Sequence, residues 1–119
     1  MGKMIQGPWG MIDISREVIA KLAGIATTEC FGIVGMVSAN QIRDGLTELL
    51  GREALTKGVE VAIKEDKLLI RVNTVVSYGI KISVIADNVI DRVKYVVQSH
   101  IGTKVDLVEV NIRGVRVVD

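Results

Sequence analysis

A single cysteine, Cys30, rules out an internal disulfide, and a single histidine, His100, rules out a multi-histidine metal site within one chain. Aromatic residues are almost as scarce: one Trp, two Tyr and one Phe leave few platforms on which nucleic-acid bases could stack. Neither sign of charge dominates. Fifteen Lys and Arg stand against fourteen Asp and Glu, a formal charge of +1 with no basic cluster, which removes a charge-driven grip on nucleic acid. The longest apolar runs fall far short of a membrane-spanning helix, and no apolar signal region opens the chain, so the cytosol is the expected compartment. No GxGxxG follows a strand, and there is no phosphate loop. What the 119 residues do contain is apolar material, 49% of the total, enough for one ordinary domain that folds without disulfide or metal.

That material is arranged with clear periods. Residues 1–9, with the only proline, lack a period and are expected to form a flexible leader, ordered if at all by docking Met4 or Trp9. Residues 10–119 form the expected single domain. Alternation over Met11 to Ile14 predicts a short strand leading into a helix capped by Ser15, with Ile19, Leu22, Ala23, Ala26 and Cys30 on its buried stripe. Glu17, Lys21, Gly24 and Thr28 fall on the opposite side, and Gly32 is the expected stop. The run Gly32 to Val37 predicts a short buried strand. Asn40 can cap a second, shorter helix bearing Ile42, Leu46, Leu49 and Leu50. Val59 to Lys64 and Leu68 to Asn73 alternate in period two around Glu65 and Asp66, a β-hairpin pattern. A long helix capped by Ser83 and stopped by Gly102 follows, burying Ile85, Ala86, Val89, Val93, Val96, Val97 and Ile101. Its eight Val and Ile residues are poor helix formers, so tertiary packing must hold it. The last strand alternates through Val108, Val110 and Ile112 until its parity slips at Gly114, the mark of a β-bulge. The capped helix, glycine and strand thus occur twice, which we read as shared packing grammar rather than duplication.

These elements predict an α+β two-layer sandwich, a mostly antiparallel sheet with helices packed on one face. The other face is expected to be wet. It carries Glu60, Lys64, Arg71, Asn73, Glu109 and Arg113, interrupted by Leu69 and Val75, and these six polar residues are the candidate protein-interaction site. Catalytic candidates are few. Cys30 and His100 both lie near helix C-termini, where a thiol pKa rises rather than falls, and Asp87 with Asp91 supplies only two carboxylates for a cation. We assign no catalytic residue, no metal site and no cofactor. Gly32-Ile33-Val34-Gly35 spells the GxxG of KH domains, but without flanking basic residues it offers a phosphate backbone only amides. A KH-like binder of single-stranded nucleic acid is therefore the alternative reading.

The letters themselves resemble a known family. Gly10 to Ser15 (GMIDIS), EVIAKLAGIA at Glu17 to Ala26, GIVGM at Gly32 to Met36, Lys57-Gly58-Val59, Tyr78-Gly79, IADNV at Ile85 to Val89, Ile101-Gly102 and Arg113-Gly114-Val115 together resemble the alkaline-shock-protein family of small bacterial envelope stress response proteins. The likeness runs from about Gly10 to Val117 and is greatest to the short members, which lack a long charged extension. It implies a cytosolic, non-enzymatic protein of Gram-positive bacteria that acts in cell-envelope or lipid homeostasis by binding a protein partner, itself included. The expected partners are a small membrane protein, holding the chain at the inner face of the membrane, or a lipid-metabolism enzyme; a second alternative function is that of an accessory subunit of such an enzyme. The family offers no catalytic residues to carry over.

Overall fold

The computed structural model describes residues 2–8, 10–40 and 48–118. Its first element overturns the expected loose leader: β1 (Lys3–Gly7) and β2 (Gly10–Ile14) form an antiparallel hairpin with Lys3 opposite Ile14 and Gly7 opposite Gly10. Ile5 and Ile14 pack against the core, and Lys3 Nζ donates to the Asp66 carbonyl at 3.0 Å, so the hairpin is anchored at its base. A two-stranded ribbon needs such support, because alone it is marginal in water. Trp9 lies outside the described residues.

Helix α1 (Arg16–Thr28) begins as its sequence predicts. The Ser15 hydroxyl accepts from the Val18 N–H at 3.3 Å, satisfying one of the free amides of the first turn. Its stop differs from the expectation: the helix ends at Thr28 with Glu29 as the C-cap, and Gly32 lies three residues further on. The buried stripe is also rotated. Gly24, expected to face solvent, is buried, because a missing side chain there lets α1 approach Leu55 and Val59. Strand β3 (Ile33–Met36) then leads into the segment expected to be a short helix. Residues 41–47 of that segment lie outside the described residues, and Leu49 and Leu50 are not helical. Leu50 instead donates its N–H to the Met36 carbonyl at 2.8 Å, while Leu49 packs over Gly35. A 3₁₀ helix, Arg52–Gly58, follows.

β4 (Val59–Lys64) and β5 (Lys67–Ser77) form the expected hairpin, with Glu65 and Asp66 at φ 51° and 64°. Two successive positive φ values give the tight turn whose twist matches that of the flanking strands. β5 is the spine of the sheet. One flank pairs antiparallel with β4 along its first half and with β3 along its second; the other flank pairs with β6 (Leu107–Arg116). That last pairing is parallel, so the sheet is mixed while remaining mostly antiparallel. The crossover is α2 (Ile82–Ile101), whose 20 residues span about 30 Å and return the chain to the start of β5. Gly102 closes α2 in the left-handed conformation as predicted, but the helix starts two residues earlier than expected. Lys81, not Ser83, is the N-cap, and no side chain satisfies the first amides.

Both helices lie on one face of the sheet, giving the α+β sandwich. α2 contributes Ile85, Val89, Val93, Val97 and Ile101, one residue per turn, and α1 contributes Ile19, Ala23 and Ala26. They meet Leu68, Ile70, Val72 and Val76 of β5. This shared burial, at roughly 2 kcal/mol per large aliphatic side chain, is what holds a Val- and Ile-rich helix together. The bulge in β6 is present: Thr74 pairs with Ile112 and Val75 with Gly114, leaving Arg113 as the extra residue.

Candidate functional site

The face of the sheet turned away from the helices is organised in rows across the strands, because opposed residues in register share a face. Glu60, Arg71 and Glu109 stand side by side on β4, β5 and β6. The Arg71 guanidinium bridges both carboxylates, with Nη1 3.5 Å from Glu60 Oε2 and Nε against Glu109 Oε2. All three side chains are about half exposed. Exposed ion pairs contribute about 0–1 kcal/mol each, so this ladder fixes a charge pattern more than it stabilises the fold. One row toward the β4–β5 turn, Ala62, Leu69 and Leu107 form an apolar strip, and beyond it Lys64 stands opposite Lys67.

On the other side of the ladder the wet-face expectation fails for Asn73, which is 0% exposed. Its Nδ2 donates to the Gly58 carbonyl at 3.1 Å, and its Oδ1 accepts from Asn111 Nδ2 at 3.3 Å and Arg113 Nε at 3.2 Å. Val75, next on this face, is buried as well, as is Val37, whose N–H donates to the Asn73 carbonyl. Asn73 is therefore a structural pin that aims Arg113. Of the six candidate residues, the structure gathers Glu60, Arg71, Glu109 and Arg113 around two adjacent rows, places Lys64 apart at the hairpin end, and withdraws Asn73 from any contact surface.

The remaining candidates separate. Cys30 Sγ lies 3.4 Å from the Ala26 carbonyl and 3.9 Å from that of Asn88. His100 is twelve residues further along α2 than Asn88, about 18 Å of helix, and its Nδ1 bonds the Val96 carbonyl, so the two cannot form a nucleophile–base pair. Burial pushes the Cys30 thiol above its ordinary value, with Arg92 partly opposing and Glu29 adding to the rise. A raised folded-state pKa favours the folded protein below the unfolded value, and that contribution is lost as pH climbs through the folded one. The unfolding midpoint should thus fall as pH rises past about 8.5, less so in Cys30→Ala, and iodoacetamide should modify native Cys30 more slowly than the unfolded chain. Equal alkylation rates would show the thiol to be freely ionised. Asp87 and Asp91 lie on the exposed side of α2, and among the described residues no three acidic, histidine or cysteine side chains gather.

The GIVG segment does not form a turn between two helices. It leads out of a loop into β3, with Gly35 paired to Val75, so the structural context of a KH phosphate clamp is missing. What periodicity did not reveal is the company it keeps. Phe31, 76% exposed, with Ile33, Val34, Ile80 and Val118, lines a shallow apolar cleft at this end of the sheet.

Among the described residues no helix is long and apolar enough to cross a membrane. No solved structure matches the chain. Among curated proteins it is 51% identical over 109 residues to the uncharacterized protein YloU of Bacillus subtilis strain 168, covering 92% of this chain and 91% of that protein. An uncharacterized Streptococcus pyogenes serotype M6 protein, Spy1614, is 40% identical over 92% of this chain and 90% of its own length. YqhY, another uncharacterized protein of Bacillus subtilis strain 168, is 28% identical over 90% of this chain and 78% of its own length. A family model described by a cell envelope-related function matches residues 5–117, hairpin strand β2 and bulged β6 included, and the chain belongs to that family, the alkaline shock protein 23 family.

Proposed function

We propose that the protein is a non-enzymatic interaction module in an envelope-related process, binding a protein partner through the open face of its sheet. The observation that carries this reading is the half-exposed Glu60–Arg71–Glu109 ladder beside Arg113, a fixed charge pattern on rigid strands. Charges held on strands select partners by complementarity and orientation, while contributing little to the fold that carries them. An envelope-related family supports a partner at the envelope, which we take to be a small membrane protein or a lipid-metabolism enzyme. In that arrangement the chain works in the cytoplasm and reaches the membrane only through its partner.

The test replaces Arg71 and Arg113 by glutamate and measures partner recovery from cells after in vivo crosslinking, with far-ultraviolet circular dichroism confirming the fold. Reversing two cations on a recognition face should lower recovery about tenfold or more. Wild-type recovery by the folded variant would move the site off this face.

A further inference from the structure

Among the described residues β6 pairs only with β5, so its other flank presents a ten-residue strand edge. Long open edges invite pairing with another strand. The central segment of this edge, Glu109-Val110-Asn111-Ile112-Arg113, complements itself when laid antiparallel against a copy about Asn111. Glu109 then meets Arg113, Val110 meets Ile112, and Asn111 meets Asn111. The faces agree as well. Glu109 bonds Arg71, while Asn111 and Arg113 both bond Asn73, so these three share the open face; Val110 and Ile112 are half-buried toward the core.

We propose that β6 pairs antiparallel with β6 of a second copy, joining the two sheets into one. Charge complementarity selects this occupant. Within one chain the row Glu60, Arg71, Glu109 alternates in sign and carries one excess negative charge; Arg113 of the second copy continues the alternation and neutralises it, and two-fold symmetry makes that contact twice. Leu107 and Val115, 52% and 50% exposed at the two ends of β6, flank the paired segment. The bulge at Arg113 limits strict pairing to about five residues, so the interface is small and the dimer is a transient, concentration-dependent one. This deepens the interaction-module reading and rests on it for the availability of the strand edge.

The experiment uses the purified full chain, sized by light scattering over a concentration series. The wild type should shift from monomer to dimer. Glu109→Arg and Arg113→Glu each place like charges in both contacts and should each weaken the dimer on the order of tenfold to hundredfold. An equimolar mixture of the two variants should recover it, because every contact then pairs Arg with Glu. Circular dichroism and thermal midpoints establish that each variant is folded. Hydrogen exchange gives an independent reading: β6 amides that do not bond β5 should slow with concentration in the wild type and stay fast in either variant. A wild type that remains monomeric, a dimer indifferent to both substitutions, a mixture that fails to recover, or β6 protection that needs a different protein would each overturn the proposal. Partner recovery by Arg71→Glu alone, which replaces no β6 residue, tests the interaction-module reading separately, so the failure of one is distinguishable from the failure of the other.

Discussion

Gly32→Ala is expected to destabilise the protein by about 3 kcal/mol, read as a lower urea midpoint with an unchanged slope. Two costs combine. Gly32 sits at φ +90°, a conformation that side-chain-bearing residues rarely adopt, and holding alanine there costs on the order of 1–2 kcal/mol. A methyl group at this position would also lie 2.7 Å from Ile85 Cγ1 and 2.8 Å from its Cδ1, and Ile85 is fully buried in the first turns of α2. Overpacking of that kind adds about 1–3 kcal/mol. A double-mutant cycle separates the two: in an Ile85→Ala background the collision disappears while the backbone cost remains, so Gly32→Ala should there cost about 1–2 kcal/mol. Equal costs in both backgrounds would place the whole effect in the backbone.

Asn73→Ala is the second large effect, about 2 kcal/mol, or a fall in the thermal midpoint of about 8 °C for a domain of this size. The side chain is the shared partner of the Gly58 carbonyl, Asn111 Nδ2 and Arg113 Nε, and its loss leaves the buried Gly58 carbonyl without its donor and the half-buried Asn111 and exposed Arg113 without their acceptor. The pin also reaches the candidate site, since without it Arg113 has no acceptor to hold it on the face. An unchanged midpoint would show that water replaces Asn73 at no cost.

Much of this architecture is legible in the sequence because it depends on local period. The α2 stripe, the hairpin around Glu65 and Asp66, the Gly102 stop and the β6 bulge all follow from residues that touch their neighbours in sequence or in register. The direction of β6 does not, because the Val108–Ile112 alternation is the same in parallel and antiparallel pairing; only the length of α2 relative to β5 decides it. The five residues Lys3–Gly7 carry too short an alternation to announce a strand, and they become one by pairing with β2. Asn73 illustrates the limit for the site. Period two correctly assigns it to the polar face, yet its burial is set by Val37, Gly58 and Arg113, contacts from distant parts of the chain that no window contains. Glu60, Arg71 and Glu109 were recognisable as candidates one by one, whereas their union into a single ladder required the register of three strands.

The parallel crossover also has a consequence for how the chain is protected during synthesis. β5, with Thr74, Val75 and Val76 at its core, exposes its β6 flank until α2 has formed and turned the chain back. α2 in turn forms only as it packs, so neither can wait for the other. A ribosome-bound chain ending before Leu107 therefore displays an eleven-residue strand, rich in Leu, Ile and Val, with one flank bare, a segment open to wrong pairing. β6 acts as a shield as well as an edge: by covering β5 it exchanges a strand edge whose middle carries the one charge of Arg71 for an edge carrying both Glu109 and Arg113, whose opposite charges admit few partners.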